Sequence, residues 1–251
     1  MTRQHLKALA SLHRRKARRQ LGAFLVEGVR SVQSALDANA PLTDLLVSSE
    51  WEDADGLARR AAAAGISVSH VPPRDLDRVG DAQTSQGVVA VSRSVVGDAL
   101  DASGPVVVLD GVQDPGNVGA LVRSAAWFGA AAVVADARTA DFEGPKAVRA
   151  AMGGLWDVEL VRVADLAPLL DALRAEGRAV WGADLAGQSL SRWRPSPRDV
   201  LVLGSEGHGL SDSVSLRLTG CVSIPGAGAR GVESLNVGVA AGILLAHWLS
   251  P

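Results

Sequence analysis

Short apolar runs alternate with helix-period segments along the chain, and this alternation predicts an α/β protein. Two further observations sharpen the prediction. The run PVVVL at 105–109 is continuously apolar, the mark of a strand buried on both faces of a parallel sheet. Residues 94–104 hold two Gly, two Asp and two Ser with little periodicity. They read as a linker between a first domain, 1–93, and a second, 105–251.

The elements follow in order. Leu6, Leu9 and Leu12 fall at helical spacing in 1–20, so this stretch reads as a basic amphipathic helix. Residues 23–26 form a short apolar strand, and Gly28 opens a helix to 38. A strand at 42–47, a helix at 56–64 closed by Gly65, and a strand at 66–71 come next. Pro72 and Pro73 start a turn and a short helix, and 87–92 is a further strand. In the second part the strands are 105–109, 131–135, 179–183, 200–203 and 221–224. The helices are 117–128, 145–152, 164–176 and a long apolar one at 234–248. Leu121, Ala125 and Phe128 share one face of the first of these.

Composition excludes several classes. With 251 residues, 47% hydrophobic and 21% charged, the chain can bury a normal core and is not of the disordered type. The single cysteine, Cys221, excludes an internal disulfide framework and a cysteine-rich zinc site, and no metal-ligand spacing occurs. The apolar run 237–246 is too short to span a membrane, and the basic N-terminus lacks an apolar signal region. The expectation is a cytoplasmic protein without a membrane partner. Net charge is only −2, but residues 1–20 carry seven basic side chains and no acid. Such a cluster fits either contact with nucleic-acid phosphates or a solvated helix.

Three segments share one design, a short apolar strand running into a Gly-rich loop and then a helix. They are VVVLDGVQDPGNVGALVRSA (106–125), VLVLGSEGHGLS (200–211) and VSIPGAGARGVESLNVGVA (222–240). In open α/β sheets ligands bind at the carboxyl ends of strands, so the three loops can share one crevice. A literal G-x-G-x-x-G runs from Gly226 to Gly231. The dinucleotide fingerprint also needs a second strand and an acid about 20 residues on, and the chain ends before either fits, so a dehydrogenase is rejected. Gly204-Ser205-Glu206-Gly207 does not satisfy the G-x-S-x-G nucleophile elbow.

Together the loops resemble the three signature motifs of the SpoU-type RNA ribose 2′-O-methyltransferases of the SPOUT superfamily. The matching stretches are DGVQDPGNVGALVRSA (110–125), LGSEGHGL (203–210), and Ile224-Pro225 followed by ESLNV (233–237). PKAVRAAMG (145–153) also resembles a family segment, with Ala151 where a serine is common. Residues 224–234 are about two longer than the usual family loop. FLVEGVR (24–30) and TSQGVVA (84–90) resemble the small RNA substrate-binding domain of many such enzymes. The resemblance implies a parallel-sheet domain with a deep trefoil knot, S-adenosylmethionine as methyl donor, RNA as partner and a homodimer. Ribosomal RNA is the first substrate reading. Transfer RNA, or a non-catalytic RNA-binding role, are the alternatives.

The resemblance also implies site residues. Leu203, Gly204, Ile224 and Leu235 match the donor-binding positions, and the last two would read as plain core on their own. Asn117, Arg123, Glu206, Ser234 and Asn236 match catalytic positions. An arginine is nearly always protonated, so Arg123 is better suited to holding an alkoxide or phosphate than to acting as a base. Asn117 and Ser234 each also read as helix N-caps, a purely structural use. Six residues apart, Asn117 and Arg123 are not a neighbouring helical pair, so the other two loops must complete the site. For the dimer, the final helix offers Val237, Ala240, Ala241, Leu244, Leu245 and Trp248.

Overall fold

The computed structural model describes residues 1–52, 54–80, 86–227 and 233–250. Residues 84–85 of the TSQGVVA cue, and most of the Gly226–Gly231 motif, lie outside them.

The first domain contains α1 (Arg3–Ala10), α2 (Arg15–Leu21), β1 (Ala23–Glu27), α3 (Val29–Asp37), β2 (Leu42–Ser48), α4 (Ala54–Ala63), β3 (Ser67–Val71), α5 (Pro73–Val79) and β4 (Val88–Arg93). Its four strands lie in the order β1-β4-β2-β3, with only β2 and β3 parallel. Strand alternation divides the core between the two faces. Leu25, Leu46, Val89 and Val91 meet Leu9, Leu12, Leu76 and Val79 on one side. Phe24, Val26, Leu45 and Val47 meet Val32, Ala35, Leu57 and Ala61 on the other.

The basic N-terminal stretch is not one helix. A 3-10 turn at Ser11–His13 separates α1 from α2. Leu9 and Leu12 are buried, so the helix reading of the leucines holds only for α1. Arg18 is 5% exposed. It donates to the carbonyls of Leu12 and His13 at 2.8 Å each and to Asp141 Oδ2 at 2.7 Å. One of the seven basic groups is therefore an internal clasp between the domains. Burial alone would push the Asp141 carboxyl up, but the Arg18 hydrogen bond and charge outweigh it and hold the group below its ordinary value.

The second domain contains β6 (Val106–Asp110), α6 (Pro115–Trp127), β7 (Ala132–Ala135), α7 (Pro145–Ala151), β8 (Glu159–Arg162), α8 (Leu166–Ala175), β9 (Val180–Ser189), β10 (Val200–Gly204), α9 (Asp212–Ser215), β11 (Gly220–Ser223) and α10 (Val237–Leu249). A two-residue strand, β5 (Val96–Gly97), comes from the stretch read as a linker and pairs with β8 at the sheet edge. The order is β11-β9-β10-β6-β7-β8-β5, and every neighbouring pair is parallel. The central strand β6 is buried throughout. Val107 and Leu109 pack towards Leu121, Ala125, Leu244 and Leu245 of α6 and α10. Val106 and Val108 pack towards Leu166, Leu170 and Leu173 of α8. Helices thus cover both faces, as parallel sheets require.

From β6 the chain steps outward through β7 and β8, then returns to build β9, β10 and β11 on the other side. The reversal lies between β6 and β10, where open α/β sheets bind ligands. Three strands of this domain differ from the sequence reading, and the short helix α9 is not in it. β9 continues to Ser189, past the expected end at 183, because its polar second half pairs with β11 across a register shift between Cys221 and Val222. β8 and β5 were not expected: the first is four residues ending in charged Arg162, the second only two.

The C-terminal end of α10 is docked by aromatic contacts. Trp193, with no exposed surface, lies 6.2 Å from Trp181 and 6.0 Å from both His247 and Trp248, between ring centroids. Trp248 Nε1 donates to the Ser196 carbonyl at 2.9 Å. Trp193→Ala should cost about 3–5 kcal/mol, the range for a buried large aromatic. Urea unfolding of the two proteins measures it.

Candidate active site

The site is assembled from the ends of three segments. The helix α6 starts at Asp114, not at Asn117 as the sequence suggested, because Pro115 takes the first helical position and Asp114 supplies the cap. Asp114 Oδ1 accepts from the Asn117 backbone N–H at 2.9 Å, and its other oxygen accepts from Lys146 Nζ at 2.7 Å. The Lys146 hydrogen bond, then that of Asn117, hold the Asp114 carboxyl below its ordinary value. Capped in this way, the first turn of α6 leaves the Asn117 side chain free to act elsewhere.

That side chain is the middle of a relay. Asn117 Nδ2 donates to Glu206 Oε1, in the loop after β10. Asn117 Oδ1 accepts from Asn236 Nδ2 at 3.0 Å. Asn236 Oδ1 in turn accepts from the backbone N–H groups of Gly238 and Val239, at 2.9 and 3.3 Å. Asn236 is therefore the N-cap of α10. Ser234, expected in that place, lies two residues ahead of it and is exposed. Asn satisfies two of the orphan N–H groups at once, which fixes the helix start at Val237. One side chain from each of the three loops thus joins a single hydrogen-bonded chain.

Beside the relay lies a cavity of about 370 Å³. Its wall includes Leu203, Gly204, Ile224 and Leu235, the four residues matched to donor binding, together with Glu206 and Ser234. Asn117 and Asn236 reach it through Glu206. Asp184 and Leu185 also line it, from the part of β9 that the sequence reading missed. Their exposed, non-alternating stretch gave no strand signal. Leu185 is 69% exposed and Leu235 is 45% exposed, so two apolar side chains stand at the mouth.

The loop after β10 is wound tightly. Ser205 and Gly209 exchange both backbone hydrogen bonds, at 3.0 and 2.9 Å, and Gly209 has φ +65°. A Cβ on Gly204 would collide with the Gly209 carbonyl group and lie 2.7 Å from Leu210 N. Only glycine allows the strand end to pass so close to its own returning loop.

Arg123 is not brought into the relay. It lies six residues beyond Asn117 on α6, about 9 Å along the axis at 1.5 Å per residue. Its side chain is exposed, on the flank where Gly154 approaches its Cα. The sequence inference that it points off the core is correct, since Leu121 and Ala125 are fully buried on the opposite side.

The chemistry of the cavity fits a bound S-adenosylmethionine. Its wall is largely aliphatic (Leu203, Val222, Ile224, Leu235, Leu244) with strand-end backbone at Gly204 and Ser205. The carboxylates of Asp184, Glu206 and Glu233 are in the same wall, where they complement a cationic ligand. The volume lies within the range of about 300–1,000 Å³ usual for small-molecule sites.

Comparison with known proteins agrees with this geometry. The profile described as the SpoU rRNA Methylase family matches residues 104–246, and an MRM3-like substrate binding domain matches residues 3–90. The chain is 32% identical over 245 residues to the 23S rRNA (guanosine(2553)-2′-O)-methyltransferase RlmP of Bacillus subtilis, covering 97% of this chain and 95% of that one. The SpoU methyltransferase AviRb from Streptomyces viridochromogenes, solved with its cofactor AdoMet, superposes with a TM-score of 0.86 at 28% identity, over 98% of this chain and 97% of that one. An AdoMet-bound rRNA methyltransferase from Sinorhizobium meliloti superposes with a TM-score of 0.85 at 26% identity, over 98% and 94%. Fold, site and likeness point the same way: the chain belongs to the SpoU rRNA methylase family, with a substrate-binding domain ahead of its methyltransferase domain.

Proposed function

We propose that this protein methylates the ribose 2′-hydroxyl of a nucleotide in ribosomal RNA, using S-adenosylmethionine. The observation that carries the reading is the Glu206–Asn117–Asn236 relay at the edge of an aliphatic cavity that suits the donor. The donor supplies an electrophilic methyl group on a sulfonium. Leu203, Gly204, Ile224 and Leu235 hold it in the cavity. Asn117, fixed from both sides, sets where Glu206 stands, and Glu206 borders both the cavity and the relay. A ribose hydroxyl is a weak nucleophile at neutral pH and gains from groups that stabilise its developing negative charge. Arg123 supplies the stabilising positive charge from the exposed flank of α6, with Ser234 at the cavity wall. The likeness to a 23S rRNA 2′-O-methyltransferase over nearly the whole length of both chains favours ribosomal over transfer RNA. Mapping 2′-O-methyl marks in ribosomal RNA from cells with and without this protein tests the reading. A mark that disappears supports it, and an unchanged map overturns it.

Domain bounds of 1–93 and 105–251, with 94–104 as a linker carrying the edge strand β5, fit this division of labour. The deep trefoil knot belongs to the same proposal. Its support is that α10, entered from edge strand β11, returns to pack on α6 and β10.

RNA is gripped in part by the N-terminal helices. Arg3, Lys7, Arg14, Lys16 and Arg19 are exposed there, whereas Arg18 is internal. Replacing these five by glutamine should weaken binding to all RNAs and flatten the salt dependence, by about 0.7 in slope for each phosphate no longer neutralised. Donor affinity should stay unchanged. Filter binding at several salt concentrations measures the first two effects, and calorimetry the third.

A homodimer completes the proposal, on surface different from that expected. Val237, Ala241, Leu244 and Leu245 face inward onto the sheet, because helical periodicity turns that stripe to the core. Among the described residues, the large apolar side chains that these two helices expose are Val239 and Ile243 on α10, at 52% and 37%, and Trp127 on the adjoining α6, at 81%. Light scattering at micromolar concentration should give twice the chain mass, and Trp127→Asp should halve it.

A further inference from the structure

Behind the relay lies a second, buried network that the motif reading did not assign. Asp110 ends β6, and its side chain has no exposed surface. Asp110 Oδ2 accepts from the backbone N–H of Ser211 at 2.6 Å, at the far end of the loop that follows β10. Asp110 Oδ1 accepts from Arg138. Arg138 donates Nε–H to Asp136 Oδ2 at 2.6 Å. Asp136 Oδ1 accepts from the Gly111 N–H at 3.1 Å and from Thr139 N–H and Oγ1–H, at 2.9 and 2.6 Å. Burial pushes the Asp136 carboxyl up, but Thr139, Arg138 and Gly111 together outweigh it and hold the group below its ordinary value.

The consequence is geometric. The Asp110 carboxylate ties the end of β6, from which the chain runs on to Asn117, to the exit of the loop carrying Glu206. Residues 205–211 are otherwise tied mainly to themselves, through the Ser205–Gly209 pair and the Ser205 Oγ contact with His208 N–H. The Asn117–Glu206 hydrogen bond joins the first turn of α6 to the same loop. The Asp110 carboxylate is fully buried, so its bond to the Ser211 N–H is a strong restraint, while Arg138, 59% exposed, adds a solvent-screened brace.

We propose that Asp110, braced by Arg138, is a positioning residue that locks the loop after β10 against the loop after β6, and so sets both the donor cavity and the Glu206 carboxylate. The proposal rests on the functional reading above for its catalytic consequence, but its structural core stands apart from it.

The test is hydrogen exchange of Asp110→Asn, which keeps the shape and removes the charge. Exchange in 205–211 should accelerate by about tenfold or more, as for loss of a hydrogen bond to a charged group, while β10 and β6 stay protected. Binding of S-adenosylhomocysteine, read by calorimetry, should weaken by about tenfold on the same ground, and methyl transfer should fall with it. Rescue of the exchange pattern by Asp110→Glu is not expected, since the longer arm displaces Ser211. Arg138→Gln, at a side chain 59% exposed, should move the same segment in the same direction by less, and decides the matter if Asp110→Asn does not fold. Unchanged exchange in 205–211 in a folded variant would overturn the proposal. So would acceleration spread evenly over the chain, the mark of a merely structural residue. A wild-type chain that methylates no RNA would overturn the functional reading alone, leaving exchange to judge this one.

Discussion

Arg123→Ala should cut methyl transfer by roughly 10²-fold or more, the size of loss when a donor to a developing oxyanion is removed. The fold should be untouched. The side chain is exposed, and a surface arginine normally shifts stability by about 0.5 kcal/mol or less when truncated. Donor binding should also survive, because Arg123 is not part of the cavity wall. Arg123→Lys should fail substantially, since lysine has no planar fork to engage two oxygens at once. Single-turnover transfer, calorimetric donor binding and a thermal melt separate the three effects. Near-normal transfer by Arg123→Ala would remove it from the catalytic set and leave the Asn117–Glu206–Asn236 relay to carry the chemistry.

The second large effect is expected from a single methyl group. Gly204→Ala places a Cβ against the Gly209 carbonyl group and 2.7 Å from Leu210 N, all backbone atoms that cannot swing aside. The loop must open, and it carries part of the cavity wall and Glu206. Shifts near 1 Å at a site can cost about 10²-fold in rate, so methyl transfer should fall by at least that factor, and donor affinity should fall with it. Gly207→Ala is the control. Nothing lies within 4 Å of its added Cβ, so it should bind the donor normally. Equal affinity in the Gly204 and Gly207 variants would show that the tight winding of this loop does not shape the cavity.

The contrast between these glycines shows what could be read from the sequence and what could not. Strands such as β6 and β10 were legible because burial on both faces demands an unbroken apolar run, and VVVLD and VLVLG supply it. The site residues were legible as a set because three Gly-rich loops each follow such a strand. Their mutual geometry was not. Asn117 and Ser234 were candidates for helix caps, yet Asp114 and Asn236 hold those places, and only Asn236 combines the cap with the relay. The first choice follows from Pro115, a local signal that the reading passed over, and the relay depends on a contact over 119 residues of chain, which no local rule contains. The inward turn of Arg18 was hidden for a similar reason. Charge clustering says where cations are, while the half-buried Asp141 that captures one of them comes from 123 residues away. The second half of β9 was missed because its pairing with β11 is irregular and its side chains follow no period.

The central claim is that the chain transfers a methyl group to a ribose oxygen, and alkali reads this directly. A 2′-O-methyl group removes the hydroxyl that attacks the neighbouring phosphodiester, so a modified nucleotide survives alkaline hydrolysis as part of a dinucleotide. Purified protein, S-adenosylmethionine labelled in the methyl group, and unmodified ribosomal RNA should yield label in alkali-resistant dinucleotides, and Asn117→Ala should abolish it. Label recovered in mononucleotides carrying a methylated base, or no label in RNA at all, would contradict the account.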